Sequence, residues 1–211
     1  LLVSNIACTV SLPPVVFSSD RDGNLEIYTV DLEGGDEQNL TGTKLDEFSP
    51  VVSPDGTMIA FLSGSGDSVA VEVMELNGSS RQQLTSASGV HGSQRWAPDG
   101  DRIAYVAQMG QNSLIYVVNV DGSQTMLLTS LPGDQVGDWS PTGKSIVFAV
   151  RQEANQGIYV RNPDGVNEFR LTDTPDFSPV WSPNSEKIAF ISERDGNPEI
   201  YVMNADGSGQ T

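Results

Sequence analysis

One cysteine, Cys8, and one histidine, His91, occur in 211 residues, and Lys and Arg together number 11 against 28 Asp and Glu. A lone cysteine forms no internal disulfide. A lone histidine builds a metal site only if carboxylates gather round it. The formal charge of −17 argues against nucleic acid as a partner, because phosphate binding requires concentrated cations. A charged partner is instead expected to be basic or a cation. No run nears the roughly 18 apolar residues that cross a bilayer as a helix, so no membrane span is expected. Helical periodicity is almost absent, and so is any Gly-x-Ser-x-Gly elbow. His91 with Ser93 and Asp99 therefore does not read as a catalytic triad, and no catalytic residue and no enzymatic activity are expected.

What the chain does have is one sentence written several times. Ser53-Pro-Asp-Gly56 recurs as Ala97-Pro-Asp-Gly100, Ser140-Pro-Thr-Gly143 and Ser182-Pro-Asn-Ser185, at steps of 44, 43 and 42 residues. Leu-Thr recurs in step at Leu40-Thr41, Leu84-Thr85, Leu128-Thr129 and Leu171-Thr172. Between these markers lie apolar runs such as Ile59-Ala-Phe61 and Ile188-Ala-Phe190, then Ile27-Tyr28, Ile115-Tyr116, Ile158-Tyr159 and Ile200-Tyr201. Short β-branched and aromatic runs punctuated by Pro, Gly, Asn and Asp read as antiparallel strands. A period in the low forties with four strands per unit is that of a propeller blade. The expected fold is all-β: a single domain, residues 1–211, forming a five-bladed β-propeller of four-stranded antiparallel blades near 5–41, 49–85, 93–129, 136–172 and 178–211.

The stretch Trp181-Ser-Pro183, Lys187-Ile-Ala-Phe190, Asp195-Gly-Asn-Pro-Glu-Ile-Tyr201 and Asn204-Ala-Asp-Gly207 resembles the WD40-like repeat of TolB-type propellers. The resemblance covers nearly the whole chain. It implies an extracellular or periplasmic, cell-envelope protein of bacterial type that acts through protein–protein contacts. It does not specify the job, since one fold hosts many. Three functions stay open: a scaffold, a monomeric adaptor binding an envelope protein, and a carbohydrate-active or peptidase-associated propeller. The last would need a polar pocket at the channel mouth where non-repeating acids and His91 converge.

Two features sit outside the repeat. The last unit stops at Gly207-Ser-Gly-Gln-Thr211, without its Leu-Thr, while Leu1, Leu2 and Val3 precede the first inner strand, assigned to residues 5–10 with Cys8 as a small apolar residue. A sheet edge with unpaired N–H and C=O groups invites another strand. Residues 1–4 are thus expected to clasp the last blade of the same chain or to add to that of a second copy. The second course would polymerise copies head to tail into a filament. Leu1-Leu-Val-Ser-Asn-Ile-Ala-Cys8 is a poor lipoprotein signal, because Asn5 stands where that motif wants an aliphatic side chain.

The strongest chemical pattern is Asp20-Arg-Asp-Gly-Asn-Leu-Glu26, echoed by Glu193-Arg-Asp-Gly-Asn-Pro-Glu199. Alternating carboxylates around a glycine resemble half a calcium loop, so Asp20, Asp22, Glu26, Glu193, Asp195 and Glu199 are weak Ca²⁺ candidates. A hairpin in which Asp22 and Asp195 accept turn N–H groups accounts for the same residues. No other cofactor is implied. Trp96, Trp139 and Trp181 share one register and are expected in a layer between blades. Asn39-Leu-Thr41 and Asn77-Gly-Ser79 are sequons, so glycans at Asn39 and Asn77 are possible in an exported chain.

Overall fold

In a computed structural model, which describes residues 13–86, 89–110, 112–129 and 135–211, these residues fold as β-strands joined by turns and loops. Five antiparallel meanders follow one another. The first sheet holds β1 (Val15–Ser19), β2 (Glu26–Val30) and β3 (Gln38–Asn39). The second holds β4 (Glu47–Val52), β5 (Met58–Ser65), β6 (Ser68–Glu75) and β7 (Gln82–Gln83). The third holds β8 (Val90–Trp96), β9 (Arg102–Met109), β10 (Asn112–Asn119) and β11 (Thr125–Leu127). β12 (Gln135–Trp139), β13 (Ile146–Val150), β14 (Gly157–Arg161) and β15 (Phe169–Arg170) make the fourth. The fifth is β16 (Phe177–Trp181), β17 (Lys187–Ser192) and β18 (Glu199–Asn204). Residues 1–12, assigned from sequence to a first inner strand and a donor strand, lie outside the described residues.

Each blade is shaped by the same local chemistry. In the first turn the fourth residue donates its N–H to the carbonyl of the first, Gly56 to Ser53 at 2.9 Å and Gly143 to Ser140 at 2.7 Å. This requires a positive φ, which glycine adopts without penalty and which Ser185 accepts at 60° in the fifth sheet. Before that turn the inner strands bulge, with Ser49, Ser93 and Ser178 at φ between 53° and 60°. Second and third strands align a ring against a ring: Phe17 on Tyr28, Tyr105 on Tyr116, Phe148 on Tyr159 and Phe190 on Tyr201, with centroids 5.6–5.8 Å apart. The second blade pairs Phe61 with Glu72 instead, and the Arg81 guanidinium covers Phe61 at 5.2 Å.

The core lies between blades. Ala60, Leu62 and Val73 of the second sheet meet Ile103 and Tyr105 of the third; Ala104 and Val106 meet Ile146 and Phe148; Val147 and Ala149 meet Ile188 and Phe190. Phe61, Phe148 and Phe190 are fully buried, and each such ring contributes roughly 1.5–3 kcal/mol. Inner strands are tied across blades: Trp96 Nε1 donates to the Val51 carbonyl at 2.9 Å, and Trp139 Nε1 to that of Arg95 at 3.2 Å. Trp181 breaks the series. Its backbone N–H donates to Asp138 Oδ2 at 3.0 Å, and its indole N–H is buried without a partner among the described residues.

Candidate functional site

The Leu-Thr pair that ends each unit has a specific task. Leu40, Leu84, Leu128 and Leu171 donate their N–H groups to the carbonyls of Ile27, Val71, Ile115 and Ile158 on the third strands, at 2.8–2.9 Å. The following hydroxyls, Thr41, Thr85, Thr129 and Thr172, accept the N–H of those same four residues at 2.9–3.2 Å. Both polar groups of one third-strand residue are thereby closed, and its side chain is sealed in each case at 0% exposure. Ile200 is the equivalent residue in the fifth sheet, and it is 79% exposed. Thr211 exchanges two backbone bonds with Val202, at 2.8 and 3.0 Å, so a fourth strand is begun beside β18. Among the described residues no Leu-Thr pair reaches Ile200. Val180 on the same sheet is 49% exposed.

The Asp-Arg-Asp-Gly-Asn turns do something other than gather acids round one point. In the first sheet Asp22 Oδ2 accepts from the Tyr28 hydroxyl at 2.5 Å and from Asn39 Nδ2 at 3.2 Å. The tyrosine bond, first, and then the asparagine bond hold the Asp22 carboxyl below the usual range, and the Tyr28 hydroxyl is raised in return. Glu26 is buried, and it accepts from Asn39 Nδ2 and from the Gly42 N–H. Asp195 accepts from Tyr201 in the fifth sheet, and Glu199 from Asn197. Asp20 and Glu193 close their turns through backbone carbonyls. Arg21 lies over Phe17 and Tyr28, and Arg194 over Phe190 and Tyr201. Among the described residues no group of three or more His, Cys, Asp or Glu comes together as a metal site.

Of the two sequons, Asn39 has its amide nitrogen committed to Glu26, Asp22 and Tyr28, whereas Asn77 sits exposed in a tight turn with Oδ1 accepting from Ser79. The His91 side chain lies outside the described residues. Leu1, Leu2 and Val3 do too.

Sequence reasoning missed two buried ionic groups. Glu47, fully buried, accepts from Thr43 Oγ1 and from Arg81, which also holds Glu72; Asp176, fully buried, accepts from Arg194 at 2.9 Å and Thr174 at 2.8 Å. Glu47 Oε2 and Asp176 Oδ1 have no partner among the described residues. Pairing keeps these carboxylates tolerable where an isolated charge would be expelled. The available signal was positional: Glu47 opens β4 and Asp176 immediately precedes β16, each five residues before Val52 or Trp181.

A family model described as the TolB beta propeller domain matches residues 73–211. Over 47 residues the chain is 45% identical to the protein TolB homolog of Chlorobaculum tepidum, a match covering 22% of this chain and 11% of that protein. The fold is similar to TolB from Acinetobacter baumannii, with a TM-score of 0.72 at 21% identity over 94% of this chain and 51% of that one. It is also similar to an oligogalacturonate lyase solved in complex with manganese, with a TM-score of 0.70 at 20% identity over 85% of this chain and 54% of that one. The chain thus spans about half the length of these structures, and likenesses at such identity establish architecture alone.

Proposed function

On the premise that the chain belongs to the TolB β-propeller domain family, as the match over residues 73–211 shows, we propose that it is a non-enzymatic scaffold of the cell envelope acting through protein contact. The observation that carries this reading is the domain match over residues 73–211, and the outer edge of the fifth sheet is the surface on which it is tested. An apolar residue on a strand edge with outward N–H and C=O groups is suited to β-augmentation, in which backbone bonds supply affinity and side-chain pockets supply selectivity.

The occupant is a strand carrying an aliphatic residue followed by a hydroxyl, the order of the Leu-Thr pairs. Leu2-Val3-Ser4 of a second copy has that order, and its addition would build a head-to-tail filament. The groups able to do acid–base chemistry support a structural role, since the buried ones are engaged with arginines and turn amides.

Analytical ultracentrifugation of the full chain tests this. The unmodified chain should form concentration-dependent oligomers, and Ile200→Asp and Val3→Asp should each leave a monomer with an unchanged far-ultraviolet spectrum. A chain monomeric at every concentration, or oligomers indifferent to both changes, rejects self-assembly. Monomers in which Val3→Asp alone exposes the Ile200 amide to hydrogen exchange would point to an intramolecular clasp, the arrangement of a monomeric adaptor.

A further inference from the structure

A groove of about 650 Å³ runs along the seam between the third and fourth sheets, lined among others by Arg102, Gln124, Lys144, Asn162, Pro163 and Asp164. Its fourth-sheet wall departs from the repeat at three adjacent places, and each departure frees a polar group. The residue after the first turn is Thr57, Asp101 and Glu186 in other sheets but Lys144 here. In the second, third and fifth sheets its carbonyl is closed by the N–H of Leu76, Val120 or Ala205 at 2.9 Å; the equivalent of those donors is Pro163, which has no N–H to give. The third departure concerns Asn162. Three of its equivalents are tied to serines of their own turns, Glu75 to Ser79 and Ser80, Asn119 to Ser123, and Asn204 to Ser208, and the fourth, Asp31, accepts the N–H groups of Glu33 and Gly35. In the fourth sheet the matching position is Val166, which cannot bond, so the Asn162 amide is left without a side-chain partner among the described residues.

The same seam brings Lys144 and Arg102 to one cavity in a chain of net charge −17, and the one acid that lines it, Asp164, accepts the Val166 N–H of its own turn at 3.1 Å. Arg102 is held in place, with one Nη on Asp99 at 3.0 Å and its guanidinium over the Trp139 ring at 5.1 Å. Lys144 has no partner among the described residues, nor does the Gln124 amide opposite. Turn residues that serve the fold recur once per blade. Three coordinated departures that release a cation, an amide and a backbone carbonyl toward one groove are what a ligand site requires.

We infer that this groove binds an extended acidic segment of a protein partner, with Lys144 and Arg102 taking an Asp or Glu side chain and the Asn162 amide and Lys144 carbonyl taking backbone groups. A carboxylate alone would satisfy the cations, and the backbone of a peptide adds N–H donors and carbonyl acceptors for the polar groups beside them. Val117 and Met126 give the segment an apolar floor. The site is independent of the fifth-sheet edge, lies on a different seam, and stands or falls without it.

The test restores the repeat. The triple variant Lys144→Thr, Pro163→Ala, Val166→Ser returns the turn to the chemistry of its sisters and should fold at least as stably as the unmodified chain. A displayed library of random short peptides is panned on the unmodified chain, and the selected peptides are synthesised. Their binding is then measured by fluorescence anisotropy on both proteins. The expected result is selected peptides with Asp or Glu at a fixed position, binding weakened about tenfold or more by the triple variant and equally by Asn or Gln at that position. Peptides that bind both proteins alike, peptides without an acidic preference, or no selection above background overturn the inference. So does sodium glucuronate, if it alone binds in a manner the triple variant abolishes, since the site would then take a sugar acid.

Discussion

Replacing the closing threonines by valine tests whether the Leu-Thr pair is what seals each blade. Valine keeps the shape of threonine and removes only the hydroxyl, so Thr85→Val, Thr129→Val and Thr172→Val each leave one backbone N–H, on Val71, Ile115 or Ile158, buried and unbonded. Such an orphan costs about 1–3 kcal/mol, and burying a methyl in place of the hydroxyl returns less than about 1 kcal/mol. The expected net loss is about 1–2 kcal/mol at each of these sites, where the threonines are 9%, 1% and 5% exposed. Thr41 is less buried, and water can replace its hydroxyl at the Ile27 N–H; Thr41→Val should cost no more than about 0.5 kcal/mol. Serine at the same positions retains the acceptor and serves as the control. Urea unfolding followed by both tryptophan fluorescence and circular dichroism gives the free energies, and coincidence of the two curves checks that blades do not melt separately. The reasoning is refuted if valine costs no more than serine at Thr129 and Thr172, or if Thr41→Val is the worst of the series.

Two further changes probe the packing. A methyl at Gly137 would sit 2.6 Å from Pro179 Cγ and from its carbonyl oxygen and 2.8 Å from the Val147 carbonyl, so Gly137→Ala should destabilise by about 1–3 kcal/mol, read as a lower urea midpoint. Burial raises the Tyr105 hydroxyl to about 12 from 10.0, with a smaller contribution from Tyr116. The unfolded chain then loses that proton first, so stability is full below pH 10 and falls as pH rises from 10 toward 12. Thermal melts across that range should show the loss, and Tyr105→Phe should flatten it.

The repeat was legible because it is local. Period, turn chemistry and strand type are each written within a few residues, and three markers in one rhythm leave little choice of architecture. The Ser-Pro-Asp-Gly turns, the Ile-Tyr strands and the Trp register all follow from that rhythm. The Asp22 and Asp195 turns were harder. Alternating acids suit a calcium loop and a hairpin alike, and in the structure a tyrosine six residues on folds its hydroxyl back to the carboxylate. That contact depends on the stack beneath it.

What the sequence by itself determined is the blade: its strands, its turns and its period. Tertiary structure alone decided which polar groups are closed and which are left open. Asn162 loses its turn partner because Val166 stands where Ser79, Ser123 and Ser208 stand in three other turns. Burial and hydrogen-bond closure belong to pairs of residues brought together by folding, so no single position announces them.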